Sequence, residues 1–263
     1  MLTSSQKHCL KGIGIRQWVG RSCIPLPASN EILEIQLQTV NSASISATAS
    51  TQLPVQIPVS IPALVPVPVA EIIPKIEFNL DGWENINQSI VQCQNCKLAN
   101  ACTQKVIGLG NKQADLMIIG EPPGHDEDIK GEPFVGRPGV LFDKILQSIG
   151  ISRSQVFITN IVKCRPPNNR DPHKEEVQAC DAFLRAQIKQ ISPKVILSVG
   201  KVSAQSLLNT TDSVAKLITQ NYQLPNSDIP LKVTYPPSYL LRNPTSKATV
   251  WQDMKWLQRV LNP

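Results

Sequence analysis

The side chains best placed for chemistry are cysteines. The chain has seven, at 9, 23, 93, 96, 102, 164 and 180. Cys93 and Cys96 form a Cys-x-x-Cys pair, and fifteen residues separate Cys164 from Cys180. A cytosolic chain seldom spends cysteines on disulfides, so such a pair points to metal or redox chemistry. No strand leads into Cys93, which argues against a thioredoxin-like motif. Two thiolates from one short loop and two from elsewhere can close a tetrahedral zinc site or hold an iron–sulfur cluster. Spacing alone does not choose between these, nor exclude a set of buried, unreactive thiols.

The elements that must carry these residues follow from the apolar pattern. "ADLMIIGE" (114–121) reads as a buried strand opening a Gly/Pro loop. "GVLFDKILQSIG" (139–150) is an amphipathic helix closed by glycine, and "QVFITNIVKC" (155–164) a second strand. A helix over "KEEVQACDAFLRAQIKQI", a third strand "KVILSVG", a helix "KVSAQSLLN", a fourth strand "LKVTY" and a last helix "KATVWQDMKWLQRVL" complete the series. Strands alternating with helices predict an α/β domain: three layers, α/β/α, around a central four-stranded parallel sheet. Ligands of such sheets bind beyond the carboxyl ends of the strands. Those ends carry "GEPPGHDED", "NIVKCRPPNNR", "GKVSAQ" and "PPSYLLR". In the last of these, Pro236-Pro237 should stop the strand and hold a stiff loop at its tip, because proline brings no N–H to a ladder.

Composition divides the 263 residues into three parts. Residues 1–21 suit a short helical peptide, a candidate interaction motif. Residues 22–77 are rich in Ser, Thr and Gln and then carry six prolines between Pro54 and Pro74, the composition of a disordered, extended linker. Residues 78–263 form the globular domain. Residues 1–85 hold five basic and six acidic side chains, so the net charge of +6 comes from the remainder, which is compatible with a polyanionic partner. No uninterrupted apolar run reaches the ~18 residues of a membrane span, and the N-terminus lacks the apolar core of a secretory signal. A monomer in the bacterial cytosol, without membrane contact, is expected.

Taken together, "GEPPGHDEDIKGEPFVG", "ITNIVKCRPPNNR", the cysteine spacing and "YLLRNP" resemble the family 4 uracil-DNA glycosylases, the iron–sulfur members of the uracil-DNA glycosylase superfamily, over about Ile90 to Leu261. The resemblance implies the fold derived above and a [4Fe-4S] cluster on Cys93, Cys96, Cys164 and Cys180, with Cys102 matching no cluster position. It implies base excision repair: hydrolysis of the N-glycosidic bond of uracil in single- or double-stranded DNA to leave an abasic site. Such an enzyme takes the base out of the stack and reads its face and edge. By this resemblance Phe134 stacks on uracil and Asn160 bonds its polar edge. Glu121 and Glu127 supply carboxylates that orient water or steady a cationic sugar. Pro237 and Ser238 belong to a DNA-facing loop, and Lys163, Arg165, Arg170 and Arg242 at the same strand tips are candidate phosphate contacts.

Two positions depart from the family pattern. Pro122 follows the first Glu where Gly or Ala is common. Pro236 stands where the resemblance implies a histidine that donates to uracil O2 as charge gathers on the departing base. His125 is expected to be a solvated surface residue rather than a substitute. The peptide "QKHCLKGIGIRQWVGRSCIPLP" is also similar to the N-terminal segment of the psi subunit of bacterial DNA polymerase III, which implies a replication protein as partner for residues 5–21. The alternatives to a slowed glycosylase are a catalytically silent uracil- or damaged-DNA-binding module and a glycosylase of shifted base preference.

Overall fold

The computed structural model describes residues 78–262. The expected peptide over 1–21 and the expected linker over 22–77 lie outside the described residues. From the N-terminal side the elements are α1 (Trp83–Gln92), β1 (Leu109–Gly110), β2 (Leu116–Gly120), α2 (His125–Lys130) and α3 (Gly136–Ser148). Next come β3 (Phe157–Asn160), α4 (Lys174–Ile191), β4 (Val195–Val199), α5 (Lys201–Leu208) and α6 (Val214–Leu217). The series ends with β5 (Asn221–Gln223), β6 (Pro230–Thr234), α7 (Pro237–Arg242) and α8 (Lys247–Leu261).

The strands form one sheet in the order β1-β3-β2-β4-β6-β5. Its middle is the expected parallel set, β3-β2-β4-β6. The sheet has six strands rather than four because β1 and β5 add short antiparallel edges. Both were missed for the same reason: two or three residues, most of them polar or glycine, carry no period-2 signal. β5 pairs with β6 through Asn221 opposite Lys232 and Gln223 opposite Pro230, and Pro230 sits at the first position of its strand, where a missing N–H is tolerated.

Strand alternation divides the core in two. Met117 and Ile119 of β2 face one layer with Ile196, Leu231 and Val233, under α1, α4, α5 and α6. Leu116 and Ile118 face the other with Ile158, Leu197 and Val199, under α3, α7 and α8. A central strand buried on both faces must read as a continuous apolar run, as "LMII" does. Within α4 the buried side chains Cys180, Phe183, Leu184, Gln187, Ile188 and Ile191 recur every three or four residues, one stripe of a 3.6-residue helix. Each large aliphatic or aromatic group so buried stabilises the fold by about 1.5–3 kcal/mol. No described helix is long and apolar enough to cross a membrane.

The stiff loop expected at "PPSYLLR" is a helix. Pro236 caps it in extended conformation (φ −71°, ψ 147°), and Pro237 occupies the first turn, where its fixed φ is helical and its missing N–H costs nothing. The Pro236 carbonyl accepts from Tyr239 N (2.9 Å) and Leu240 N (3.2 Å). Leu240 anchors the helix in the core, while Arg242 is exposed.

Candidate active site

A cleft of about 500 Å³ opens at the carboxyl ends of β2, β3, β4 and β6. Its walls include Glu121, Glu127, Phe134 and Asn160 from the residues singled out above, and Pro236, Pro237, Ser238 and Arg242 from the last strand tip. The strands set the distances. Gly120 pairs with Asn160 across β2 and β3, so the residues after β2 and the last residue of β3 stand side by side.

Phe134 and Asn160 meet over Gly120. A Cβ on Gly120 would lie 2.6 Å from Phe134 Cε2 and 3.4 Å from Asn160 Nδ2, so only glycine lets the ring settle there. The ring packs nearly parallel to Phe142, centroids 4.8 Å apart. Phe134 itself has φ 51°, a left-handed backbone that costs a bulky residue about 1–3 kcal/mol and persists only when its surroundings impose it. Glu127 and Arg153 do so. Glu127 Oε1 accepts from Phe134 N, and Oε2 accepts from Gly124 N at 2.6 Å. Arg153 donates to the carbonyls of Pro133 and Phe134 and pairs with Asp143 at 3.1 Å.

Glu127 therefore spends both carboxylate oxygens on the backbone of the loop. Burial pushes its pKa up, opposed by the two N–H groups and by the Arg153 charge. Replacing it with alanine strips two charge-assisted bonds from a strained loop. Glu127→Ala should cost about 2 kcal/mol, read as a lower urea midpoint, whereas a solvated carboxylate would cost almost nothing.

Glu121 lies across the cleft at the start of α5. Its Oε1 accepts from Lys201 N at 2.9 Å, where the helix dipole favours an anion. Burial raises its pKa, and the N–H groups of Lys201 and Val202 pull it back. Gly200, at φ 102°, makes room: a Cβ there would fall 2.3 Å from Glu121 Cδ.

Asn160 is 2% exposed. Its Nδ2 donates to the Glu121 carbonyl at 2.5 Å, while its Oδ1 is buried without a partner. The amide orientation follows from that contact, since the flipped form would set two oxygens together. A buried unpaired acceptor costs about 1–3 kcal/mol, and lining a cleft it is an offer to a donor on a ligand.

The four expected phosphate contacts divide sharply. Lys163 is a correction: it is 1% exposed, and its Nζ donates to Thr159 Oγ1 (2.6 Å), Gln187 Oε1 (2.8 Å) and the Asn160 carbonyl (3.0 Å). Burial lowers its pKa to about 8. It cannot reach a phosphate, because the turn after β3 points it inward, and one strand tip carries inward and outward residues in alternation. Arg170 borders the cleft, but its guanidinium is bound bidentately by Glu176 at 2.7 and 2.8 Å. Arg165 donates to Asn169 Oδ1 (2.7 Å) and contacts His125 Nδ1 (3.0 Å). Arginine can only donate, so His125 accepts at Nδ1 in this contact. His125 lines the cleft as an exposed residue. The exposed Arg242 side chain has no hydrogen bond or ion pair to a described residue and stays open to an anion.

The cysteines gather behind the cleft. Cys93, Cys96, Cys164 and Cys180 line one small cavity with Leu98, Val162 and Phe183. All five described cysteines are free thiols. Burial raises the pKa of Cys93, Cys96 and Cys180, the last to about 11, and the neighbouring Cys102 thiol together with burial raises that of Cys164. Among the described residues no group of three or more His, Cys, Asp or Glu side chains is placed to hold a single metal ion. Cys102 donates to the Ala99 carbonyl (3.7 Å) and is not part of the cavity lining.

Residues 107–255 match the family model of the Uracil DNA glycosylase superfamily. The chain is 38% identical over 182 residues to a type-4 uracil-DNA glycosylase of Archaeoglobus fulgidus, covering 67% of this chain and 92% of that protein. It is 42% identical over 163 residues to a type-4 uracil-DNA glycosylase of Thermotoga maritima, covering 61% and 83%. A type-5 uracil-DNA glycosylase of Pyrobaculum aerophilum is more distant, 27% identical over 157 residues. With the sheet, the cleft and these relatives in agreement, the chain belongs to the uracil-DNA glycosylase superfamily and, within it, to the type-4 family.

Proposed function

We propose that this protein hydrolyses the N-glycosidic bond of uracil in DNA and leaves an abasic site. The observation that carries the reading is the unpartnered Oδ1 of Asn160, buried beside the Phe134 ring in the cleft. Uracil offers an N3–H donor to such an acceptor, and its O4 can take the remaining Nδ2 proton. Cytosine presents an acceptor at N3 and a donor at its exocyclic amine, the reverse pattern, and leaves both groups unpaired. An extruded base would stack on Phe134, whose other side is backed by Phe142. The Glu121 carboxylate, held by the N–H groups of α5, is placed to steady a cationic sugar or orient the attacking water. Glu127 acts at one remove, by holding Phe134. Arg242 is the phosphate contact best supported by the geometry.

Cys93, Cys96, Cys164 and Cys180 would hold a [4Fe-4S] cluster, whose contribution is to tie the segment after α1 to α4 and to the turn after β3. Pro236 lines the cleft without any donor, and this supports slow excision. It equally favours a second reading, a silent module that binds uracil-containing DNA. The test is excision from uracil-containing single- and double-stranded oligonucleotides by anaerobically purified protein, with iron and sulfide assayed on the same sample. Abasic product with four irons per chain is the expected result. Tight binding without product selects the silent module, and stoichiometric zinc without iron overturns the cluster.

A further inference from the structure

Lys163 is the unusual buried group of this domain. A lysine this deep is rare unless paired, because a buried charge costs several kcal/mol. Its three acceptors, Thr159 Oγ1, Gln187 Oε1 and the Asn160 carbonyl, are all neutral. No carboxylate among the described residues stands within ion-pair distance of its Nζ; the buried lysine that has one is Lys232, paired with Asp253 at 3.4 Å. What Lys163 has instead is a place in the lining of the four-cysteine cavity, together with Cys164 and Cys180.

The hydrogen bonds around it run in one direction. Gln187 belongs to α4, the helix of Cys180; it accepts from Lys163 and from Thr159 Oγ1 (3.2 Å) and donates to the Ile107 carbonyl (2.8 Å). Thr159 and Asn160 end β3, and Val106 N closes the turn by donating to the Lys163 carbonyl (2.8 Å). The ammonium thus stands between the cysteines and the backbone of the residue that reads the base.

We propose that Lys163 is a positioning residue that couples the cysteine site to the base pocket. Thiolates ligating a cluster balance its buried charge on one side, and its N–H groups fix the Asn160 backbone on the other. This rests on the cluster reading of the cysteines given above. A nearby positive charge favours the more negative, reduced state of a cluster, so its removal must make the cluster harder to reduce.

The experiment compares native protein with Lys163→Met, which loses charge and donors, and Lys163→Gln, which loses the charge but keeps a donor. Iron content, the cluster's reduction potential, and KM and kcat on a uracil oligonucleotide are measured for each. The potential should move to more negative values in both, and KM should rise about 10-fold in Lys163→Met with a smaller rise in Lys163→Gln. Loss of iron from a folded variant also supports the charge balance. If Lys163→Met does not accumulate as folded protein, Lys163→Gln carries the test. Iron-loaded variants with the native potential overturn the proposal alone, whereas native protein without iron overturns the cluster reading and the proposal together.

Discussion

Replacing Pro236 by histidine should raise the single-turnover rate of uracil excision by about 100-fold, or roughly 3 kcal/mol, the usual worth of one donor aimed at a developing anion. The bond to the sugar breaks with its electrons going to the base, and the negative charge collects on the uracil oxygens. In the present cleft Pro236 occupies a wall position but offers no proton. Its backbone (φ −71°, ψ 147°) is one that histidine adopts freely, and the residue before Pro237 must be extended whatever its identity. The Tyr235 and Tyr239 rings, centroids 4.7 Å apart, brace the segment on either side, so the new imidazole would arrive on an ordered frame. Single-turnover kinetics on a uracil oligonucleotide checks this. An unchanged rate would show that another group already stabilises the leaving base.

Asn160→Ala should lower kcat/KM by about 100-fold or more while leaving the thermal midpoint nearly unchanged. Two stability effects oppose each other. The variant loses the Nδ2 bond to the Glu121 carbonyl, worth about 0.5–1.5 kcal/mol, and is relieved of a buried orphan acceptor of about 1–3 kcal/mol. A binding residue that stores unfavourable energy in the free protein leaves this signature: activity collapses and stability does not. A fall in midpoint that parallels the loss of activity would instead make Asn160 a residue of the fold.

Much of this was legible in the sequence because it rests on patterns of apolar residues. "LMIIG" and "VILSV" are strands buried on both faces, and "KEEVQACDAFLRAQIKQI" and "KATVWQDMKWLQRVL" match their helices residue for residue. What escaped depends on direction rather than type. Lys163 and Arg165 are both cations of one strand tip, yet Lys163 turns inward and Arg165 turns out to His125; no local rule separates them. Glu127 was expected to orient water or steady the sugar, but the third helical position of α2 sends it back to Gly124 N and on to Phe134. Arg153 was missed altogether. Nothing near "SRSQ" marks an arginine that will hold the carbonyls of Pro133 and Phe134, twenty and nineteen residues earlier.

The pairing of Gly120 with Asn160 has a consequence for the substrate. Neighbouring strands of a sheet keep a separation of about 4.8 Å, and both belong to the doubly buried centre of this one. The floor of the cleft is therefore a rigid gauge with no hinge beneath it. A base that is to be measured there must be brought to full depth, and the distortion falls on the nucleic acid rather than on the protein. Strands that part with a base cheaply, through a mismatch or for want of a partner, are the ones such a gauge serves best.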